Sequence, residues 1–495
     1  MNPDLVRIGG VVGALGLAVL FVAPHRSWRS AGLLGWAVGC GLLAISLAPA
    51  GHHRAYAAAG ALGLAAAILL AWLFTKVPWT LAMAVLACAP ARIPVTLGDT
   101  KANLLLPLYV VIAGAVVAFA WRLWRGDEGS RELGPFAWPA AAFVSWSGIA
   151  LVWASGSDSH SRNVPTSLHN GAVYLLFYLL PLGLLAASLA RLPWRIGWVK
   201  VLYAQLATMG VVFAAIGTEQ YLTRNIYWNP KLKYDNAYTL LSWFYRVNSI
   251  FYDPSIYGRF LVVAILASLV LVLFEKSRLA WVALGAATVM VVGLIPSFSQ
   301  SSFVALAVGI AVALTVLWRR RAIVPLAVAA AALVVVTMGV PQLRHRILGK
   351  AGLAHASGGR AKLVSGGVKI ALHHPVIGVG TGGFVNAYRK LEHIRGTKDA
   401  ASHDTPITVA AETGVPGLVL LAGLLAVGLF RPFRRNRGAD STQRARLGFG
   451  LALVAIAVHS LFYNALFEDP LFWGSLALSA VALQPEPDAA PEPSA

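Results

Sequence analysis

Of the 495 residues, 58% are hydrophobic and only 12% are charged, and the mean hydropathy is +0.69. A soluble globular chain carries about 25% charge, so the soluble classes are excluded and a polytopic membrane protein is the class that fits. Lys and Arg number 40 against 20 Asp and Glu, a net charge of +20. Composition alone would allow nucleic-acid binding or attraction to acidic membranes, but a surplus in so apolar a chain must be placed by topology, and no nucleic-acid partner is expected.

Taken in chain order, MNPDLVRIGG and the apolar run after it read as a first membrane helix. Asp4 stands where a signal peptide would be basic, and further apolar runs follow at once. Runs long enough to span, roughly 20 residues each, lie near 5–24, 30–49, 55–75, 104–121, 133–153, 168–190, 196–216, 254–274, 277–296, 302–318, 322–340, 405–430 and 445–467. Shorter runs near 77–90 and 470–484 are ambiguous. The fold expected is an all-α transmembrane bundle crossing 12 to 15 times. Cys40 and Cys88 sit inside apolar runs and read as small buried hydrophobes, with neither disulfide nor zinc site implied.

Basic residues resist translocation and mark cytoplasmic loops. Arg26 and Arg29; Arg122, Arg125 and Arg131; Arg191, Arg195 and Lys200; Lys276 and Arg278; Arg319 to Arg321; and Arg431, Arg434, Arg435 and Arg437 fall in alternate loops. The intervening loops are then external, and 217–253 and 341–404 are long. The chain divides into N-terminal helices 1–153, central helices 154–340 with the loop 217–253, an external loop 341–404 with short helices, C-terminal helices 405–484 and a Pro-rich tail 485–495 expected to be disordered.

Length beyond what topology needs marks 341–404 as the functional loop. It holds Arg344, Arg346, Lys350, Arg360, Lys362, Lys369, Arg389, Lys390, Arg395 and Lys398 against Glu392, Asp399 and Asp404. Anionic headgroups would attract such a loop. So would a phosphorylated substrate, whose oxygens match the fork of arginine. Residues 360–373 read as a short helix stopped by Pro375, followed by a turn rich in glycine at Gly378, Gly380, Gly382 and Gly383. Such a turn presents N–H groups to a phosphate or serves close packing, and packing is the more common use.

A spanning helix begins just after His403 and carries Glu412 about two turns in, where a carboxylate must face the bundle. His403 suits proton transfer near neutral pH. In the other long loop, Arg246 precedes the membrane, Asp253-Pro254 starts a helix, and Arg259 lies a turn inside it, suited to snorkelling, to pairing with a carboxylate or to substrate contact. Aromatics such as Trp228, Trp243 and Tyr252 suit an interfacial belt or a sugar groove.

The run GGR…HHPVIGVGTGGF, followed by His403-Asp404 and the Glu412-Thr-Gly segment to Leu418, resembles the signature of the O-antigen ligase and polymerase superfamily of bacterial membrane glycosyltransferases. RVNSIFYDPSIYGRFL and GAVYLLFYLLPL resemble earlier parts of the same family. The resemblance implies a transferase that needs no metal or other cofactor and faces away from the cytoplasm across the inner membrane. It would move a glycan from a polyprenyl (undecaprenyl) diphosphate carrier onto an acceptor hydroxyl, on a lipid-anchored sugar or another carrier-linked glycan. The family's essential His falls on His403 and its arginines on Arg246 and Arg360, with Lys362 and Arg259 as further substrate contacts and Asp404 and Glu412 in support. Two positions depart from the family: Asp404 replaces a common Asn, free either to bond His403 or to cap the helix, and Gln300 stands where an Arg is common. A lipid-linked glycan flippase or other secondary transporter is the alternative, weakened because the suspect groups cluster in external loops rather than at the midplane.

Overall fold

The computed structural model describes residues 1–48, 53–97, 100–126, 133–157, 164–237, 245–274, 278–324, 327, 360–394, 402–433, 441–481 and 483. The span expected at 322–340 beyond its first turn, the loop segments 341–359 and 395–401, Trp243 and the tail lie outside the described residues.

The chain is an all-α bundle. Its helices are α1 (Pro3–Val22), α2 (Arg26–Leu47), α3 (His53–Lys76), α4 (Thr80–Cys88), α5 (Leu106–Arg125), α6 (Ala137–Ile149), α7 (Ser167–Tyr174), α8 (Leu180–Ala190), α9 (Ile196–Thr223), α10 (Pro230–Ala237), α11 (Pro254–Phe274), α12 (Arg278–Leu294) and α13 (Gln300–Trp318). After the undescribed stretch come α14 (Arg360–His373), α15 (Phe384–Leu391), α16 (Thr405–Phe433), α17 (Ser441–Ser460) and α18 (Pro470–Ala480). Among the described residues, nine helices are long and apolar enough to cross a membrane, with α7 and α8 counted as one through a π-helical turn at Leu175–Leu179. The two ambiguous runs form the short helices α4 and α18. One feature departs from the all-helical expectation: Ile93–Leu97 (β1) and Thr100–Leu104 (β2) pair as an antiparallel hairpin, Ile93 opposite Leu104.

Small residues set how closely the helices approach. On α1, Gly9, Gly13 and Gly16 face Gly32, Gly35 and Gly39 of α2; a Cβ on Gly39 would fall 2.2 Å from the Gly13 nitrogen. This is the small-residue interface that lipid-embedded helices use in place of a hydrophobic driving force. At the centre, α8 is buried along its whole length and α11 over most of its own, packed against α9, α12, α13 and α17. On the periphery, α3 and α12 expose Leu69, Trp72, Trp281 and Val282, as a lipid-facing surface requires.

The basic loops meet at one end. The Arg26 guanidinium donates to the Trp124 carbonyl, Arg191 Nη2 donates to the Leu20 carbonyl at 2.5 Å, and Trp28, Arg191 and Arg431 line one cavity. The loops after α6, α9, α12 and α17, with α14 and α15, gather at the opposite end, and all of the candidate site lies there.

Candidate active site

Three segments build the site. The first is the end of the loop before α11. Arg246 is half-buried, and its Nε donates to the Ser297 carbonyl at 3.1 Å. Its backbone is held by Asn236, whose Nδ2 donates to the Arg246 carbonyl at 2.7 Å and whose Oδ1 accepts the Arg246 N–H at 3.3 Å. Ser297 belongs to the serine-rich turn between α12 and α13, where the Ser299 hydroxyl lies 2.7 Å from that of Ser302 and 3.1 Å from that of Ser301. The turn is anchored in the bundle by buried His459, whose Nε2 is 3.0 Å from Ser301 Oγ and 3.1 Å from the Ser255 carbonyl. Because that carbonyl only accepts, the Nε2 carries the proton. Asp253 does what an acid before proline predicts: its Oδ1 accepts the Ser255 N–H at 2.6 Å at the start of α11. Arg224, which the sequence did not single out, ends α9 and lies over the rings of Tyr221 (4.4 Å) and Tyr245 (5.1 Å).

The second segment runs from α14 to α16. The glycine-rich turn spends its N–H groups on packing. Val379 N–H donates to the Ala411 carbonyl, Gly380 N–H to that of Glu412 and Thr381 N–H to that of Ala150. Glu412 accepts the Phe384 N–H, the first of α15, through Oε1 at 3.2 Å. The helix N-terminus is therefore filled by a carboxylate of the protein itself, which leaves the packing use as the one these glycines serve. Glu412 is supporting in a structural sense, since it fixes α15 and the turn to α16.

His403 stands two residues before the first residue of α16, half-buried, with φ +56°. A left-handed backbone costs a non-glycine residue on the order of 1 kcal/mol. The bonds around it hold the turn: Ser402 Oγ donates to the Asp404 carbonyl at 2.8 Å, and the Ser402 hydroxyl also contacts that of Thr408. Asp404 resolves its two sequence readings by capping, Oδ1 accepting the Ile407 N–H at 2.9 Å. Burial pushes its carboxyl above the ordinary value, and the bond from Ile407 partly offsets the rise. Helix α14 lies across this start: a Cβ on Gly367 would sit 2.4 Å from Ile407. Arg360 is the first residue of α14, and its side chain lies outside the described residues; Lys362 is exposed.

The third segment, 461–469 between α17 and α18, carries no residue that the sequence reading singled out. Here Arg259, one of the expected substrate contacts, is drawn into the bundle. It is buried, its Nε pairs with Asp469 Oδ2 at 2.9 Å, and its Nη1 donates to the Ala465 carbonyl at 3.4 Å. Of its alternatives, carboxylate pairing is the one the structure takes. Beside it, buried Arg92 bonds Glu468 twice, Nη1 to Oε2 at 3.3 Å and Nη2 to the carbonyl at 2.8 Å. Burial opposes both charges. It pushes the Glu468 carboxyl up despite the two arginines, whereas Glu468 and Asp469 more than offset it for Arg92. The segment joins the His403 turn directly, because Thr405 Oγ1 donates to Asn464 Oδ1 at 3.0 Å. A sequence signal existed: Asp469-Pro470 repeats the acid-proline helix start of Asp253-Pro254.

The arrangement offers a histidine on a fixed turn, a half-buried arginine from one loop and an arginine-led helix from another, all at one end of a bundle. Among the described residues no three His, Cys, Asp or Glu side chains converge as a metal-binding group. Residues 285–422 match the family model described as O-antigen ligase, a stretch that runs from α12 through the serine turn, α14 and the His403 turn into α16. No curated protein matches the chain. The chain is thus a multi-pass membrane protein carrying an O-antigen ligase family domain, a glycan-transferring enzyme of polysaccharide assembly.

Proposed function

We propose that the protein transfers a glycan from a polyprenyl diphosphate carrier to an acceptor hydroxyl at the external face of the cytoplasmic membrane, the acceptor being a lipid-anchored sugar or a second carrier-linked glycan. The observation that carries this reading is the His403 turn. A non-glycine residue is held left-handed before α16, and the helix headed by Arg360 is laid across that same start. Backbone strain of this kind concentrates where a side chain is aimed for use.

In the reaction the acceptor oxygen attacks the anomeric carbon and its proton passes to the His403 imidazole. The bond from that carbon to the diphosphate breaks, and its electron pair leaves with the polyprenyl diphosphate. Arg246 and Arg360 bind the diphosphate and stabilise the charge that grows on it, with Lys362 in reserve at the exposed side of α14. The Arg259 Nε is paired with Asp469, and we assign Arg259 the role of holding α11 to α18.

The test is His403→Ala in the full chain reconstituted in nanodiscs, with undecaprenyl diphosphate-linked glycan as donor. Transfer falls by about a hundredfold or more, the scale of a lost general base, while the melting temperature is unchanged. A well-folded variant that transfers at the wild-type rate refutes the assignment.

A further inference from the structure

At the end of the bundle, beside the His403 turn, several polar atoms have no protein partner among the described residues. Glu468 uses Oε2 for Arg92; its Oε1 bonds nothing among the described residues, and the side chain keeps 31% of its surface exposed. The hydroxyls of Tyr174 and Tyr463 and the Nδ2 of Asn464 are likewise unbonded among the described residues, and none is sealed from solvent. These groups belong together. Tyr463 and Asn464 lie on the same short loop as Glu468, and Tyr174 packs with Leu104 of the hairpin that Arg92 immediately precedes. Asn464 is tied to Thr405, two residues after His403. Neighbouring tyrosines behave differently: Tyr109 donates to the Phe177 carbonyl at 2.8 Å and Tyr178 to the Asn103 carbonyl at 3.1 Å, and both fix the hairpin and the π-helical turn. Tyr174 ends α7 immediately before that turn, the kind of helix irregularity that frequently marks a functional site.

We infer that Glu468, Tyr174, Tyr463 and Asn464 form a subsite for the hydroxylated ring of a glycan, placed beside the His403 turn and separate from the diphosphate contacts. The chemistry selects the ligand. A sugar hydroxyl both donates and accepts, and here it meets a carboxylate that accepts, two phenols that do either and an amide that donates. The tyrosine rings add apolar faces for the carbon side of the ring. An open carboxylate repels a phosphate, so the diphosphate end of a donor is excluded from this subsite and left to Arg246 and Arg360. Arg92 is a positioning residue, gripping Glu468 through both its side chain and its carbonyl. The subsite deepens the transferase reading and rests on it for the identity of the glycan.

The test uses the detergent-solubilised full chain with two probes: the repeat-unit oligosaccharide of the source cell's own surface polysaccharide, and undecaprenyl diphosphate without sugar. Tyr174→Phe and Tyr463→Phe each remove one hydroxyl and keep the ring, so they remain informative if Glu468→Gln disturbs Arg92. Each phenylalanine variant weakens oligosaccharide binding by about tenfold, which is about 1.4 kcal/mol, and Glu468→Gln weakens it by at least as much. Undecaprenyl diphosphate binding and the melting temperature stay at wild-type values. A wild-type chain that binds no oligosaccharide overturns the subsite, as do unchanged affinities in all three variants or parallel losses for both probes. Steady-state transfer separates the two glycan sources: a raised KM for donor alone places the donor's sugar here, and a raised KM for acceptor alone places the acceptor's. Failure of the transferase reading is distinguishable, because a wild-type chain that binds oligosaccharide through these residues but transfers nothing keeps the subsite and loses the reaction.

Discussion

Whether Arg259 holds the bundle or contacts substrate is decided by removing its partner. Arg259 Nε and Asp469 Oδ2 are 2.9 Å apart with side chains only 2% and 5% exposed. At an effective dielectric of about 20, a pair at that distance attracts by about 6 kcal/mol. Desolvation of the two ions consumes most of this, so the pair as a whole is near neutral, but a partner left alone keeps its desolvation cost and loses the attraction, a penalty of about 3–5 kcal/mol. Asp469→Ala also deletes the cap at α18, where Oδ1 accepts the Leu471 N–H at 2.9 Å, worth about 1 kcal/mol more. Asp469→Asn keeps the cap and costs about 3 kcal/mol through the charge alone. Adding Arg259→Met to Asp469→Asn removes the stranded cation and fills its volume, and most of the loss returns. Denaturant unfolding in mild detergent across the four chains of this double-mutant cycle gives the coupling energy. A coupling below about 0.5 kcal/mol, the scatter expected for independent sites, would refute the structural role and return Arg259 to the list of substrate contacts.

Two further outcomes follow from the second segment of the site. Gly378 has φ +68°, and a Cβ there would fall 2.3 Å from the Glu412 carbonyl; Gly378→Ala therefore costs about 3 kcal/mol or more from backbone strain and overlap together, read as a lowered melting temperature or loss of folded protein, and wild-type stability would contradict the packing role of the turn. Asp404→Ala removes the α16 cap at about 1 kcal/mol, whereas Asp404→Asn preserves it. Burial raises the Asp404 carboxyl above its unfolded value, so the stability linked to its protonation is complete below about pH 3.9 and is lost as pH rises through the raised value. Asp404→Asn abolishes that part of the pH dependence of melting, and an unaltered profile would show that Asp404 does not carry it.

The helical bundle was legible because lipid imposes a length and a hydropathy that no other environment demands, and the helix 360–373 because Pro375 and the glycines bound it. The alternate basic loops predicted which helix ends meet, as the contacts of Arg26, Arg191 and Arg431 show. The hairpin 93–104 was missed because its residues carry no turn signal stronger than Gly98-Asp99 and border an apolar run that reads as helix. For Arg259 the periodicity gave the depth of the charge but not its partner, since Asp469 lies 210 residues on in sequence and only the fold brings the two together. The same holds for Arg92 and Glu468, separated by 376 residues. Long-range pairs of buried charge leave no mark in a single sequence beyond the presence of each ion in an apolar setting, which is itself the reason to seek a partner.

Those pairs also bear on what the ligase domain needs from the rest of the chain. Residues 285–422 include the serine turn, the His403 turn and the glycine-rich turn, yet each of these is tied to a residue outside that stretch. The serine turn hangs on His459 of α17, the His403 turn is tied by Thr405 to Asn464, and the glycine-rich turn is fixed by Thr381 Oγ1 donating to the Ser147 carbonyl of α6 at 2.7 Å. Arg246, which we propose binds the diphosphate, precedes the stretch and donates to the Ser297 carbonyl within it. A truncation to the matched residues would therefore keep His403 but lose the Asn464 contact that ties its turn, and would lack Arg246. The short segment 461–469 is itself tied to three parts of the chain, because it meets α11 through Arg259, Arg92 just before the hairpin through Glu468, and α16 through Thr405. Its displacement would act on all of them together, so substitutions at Asn464 and Asp469 should be strongly non-additive rather than independent.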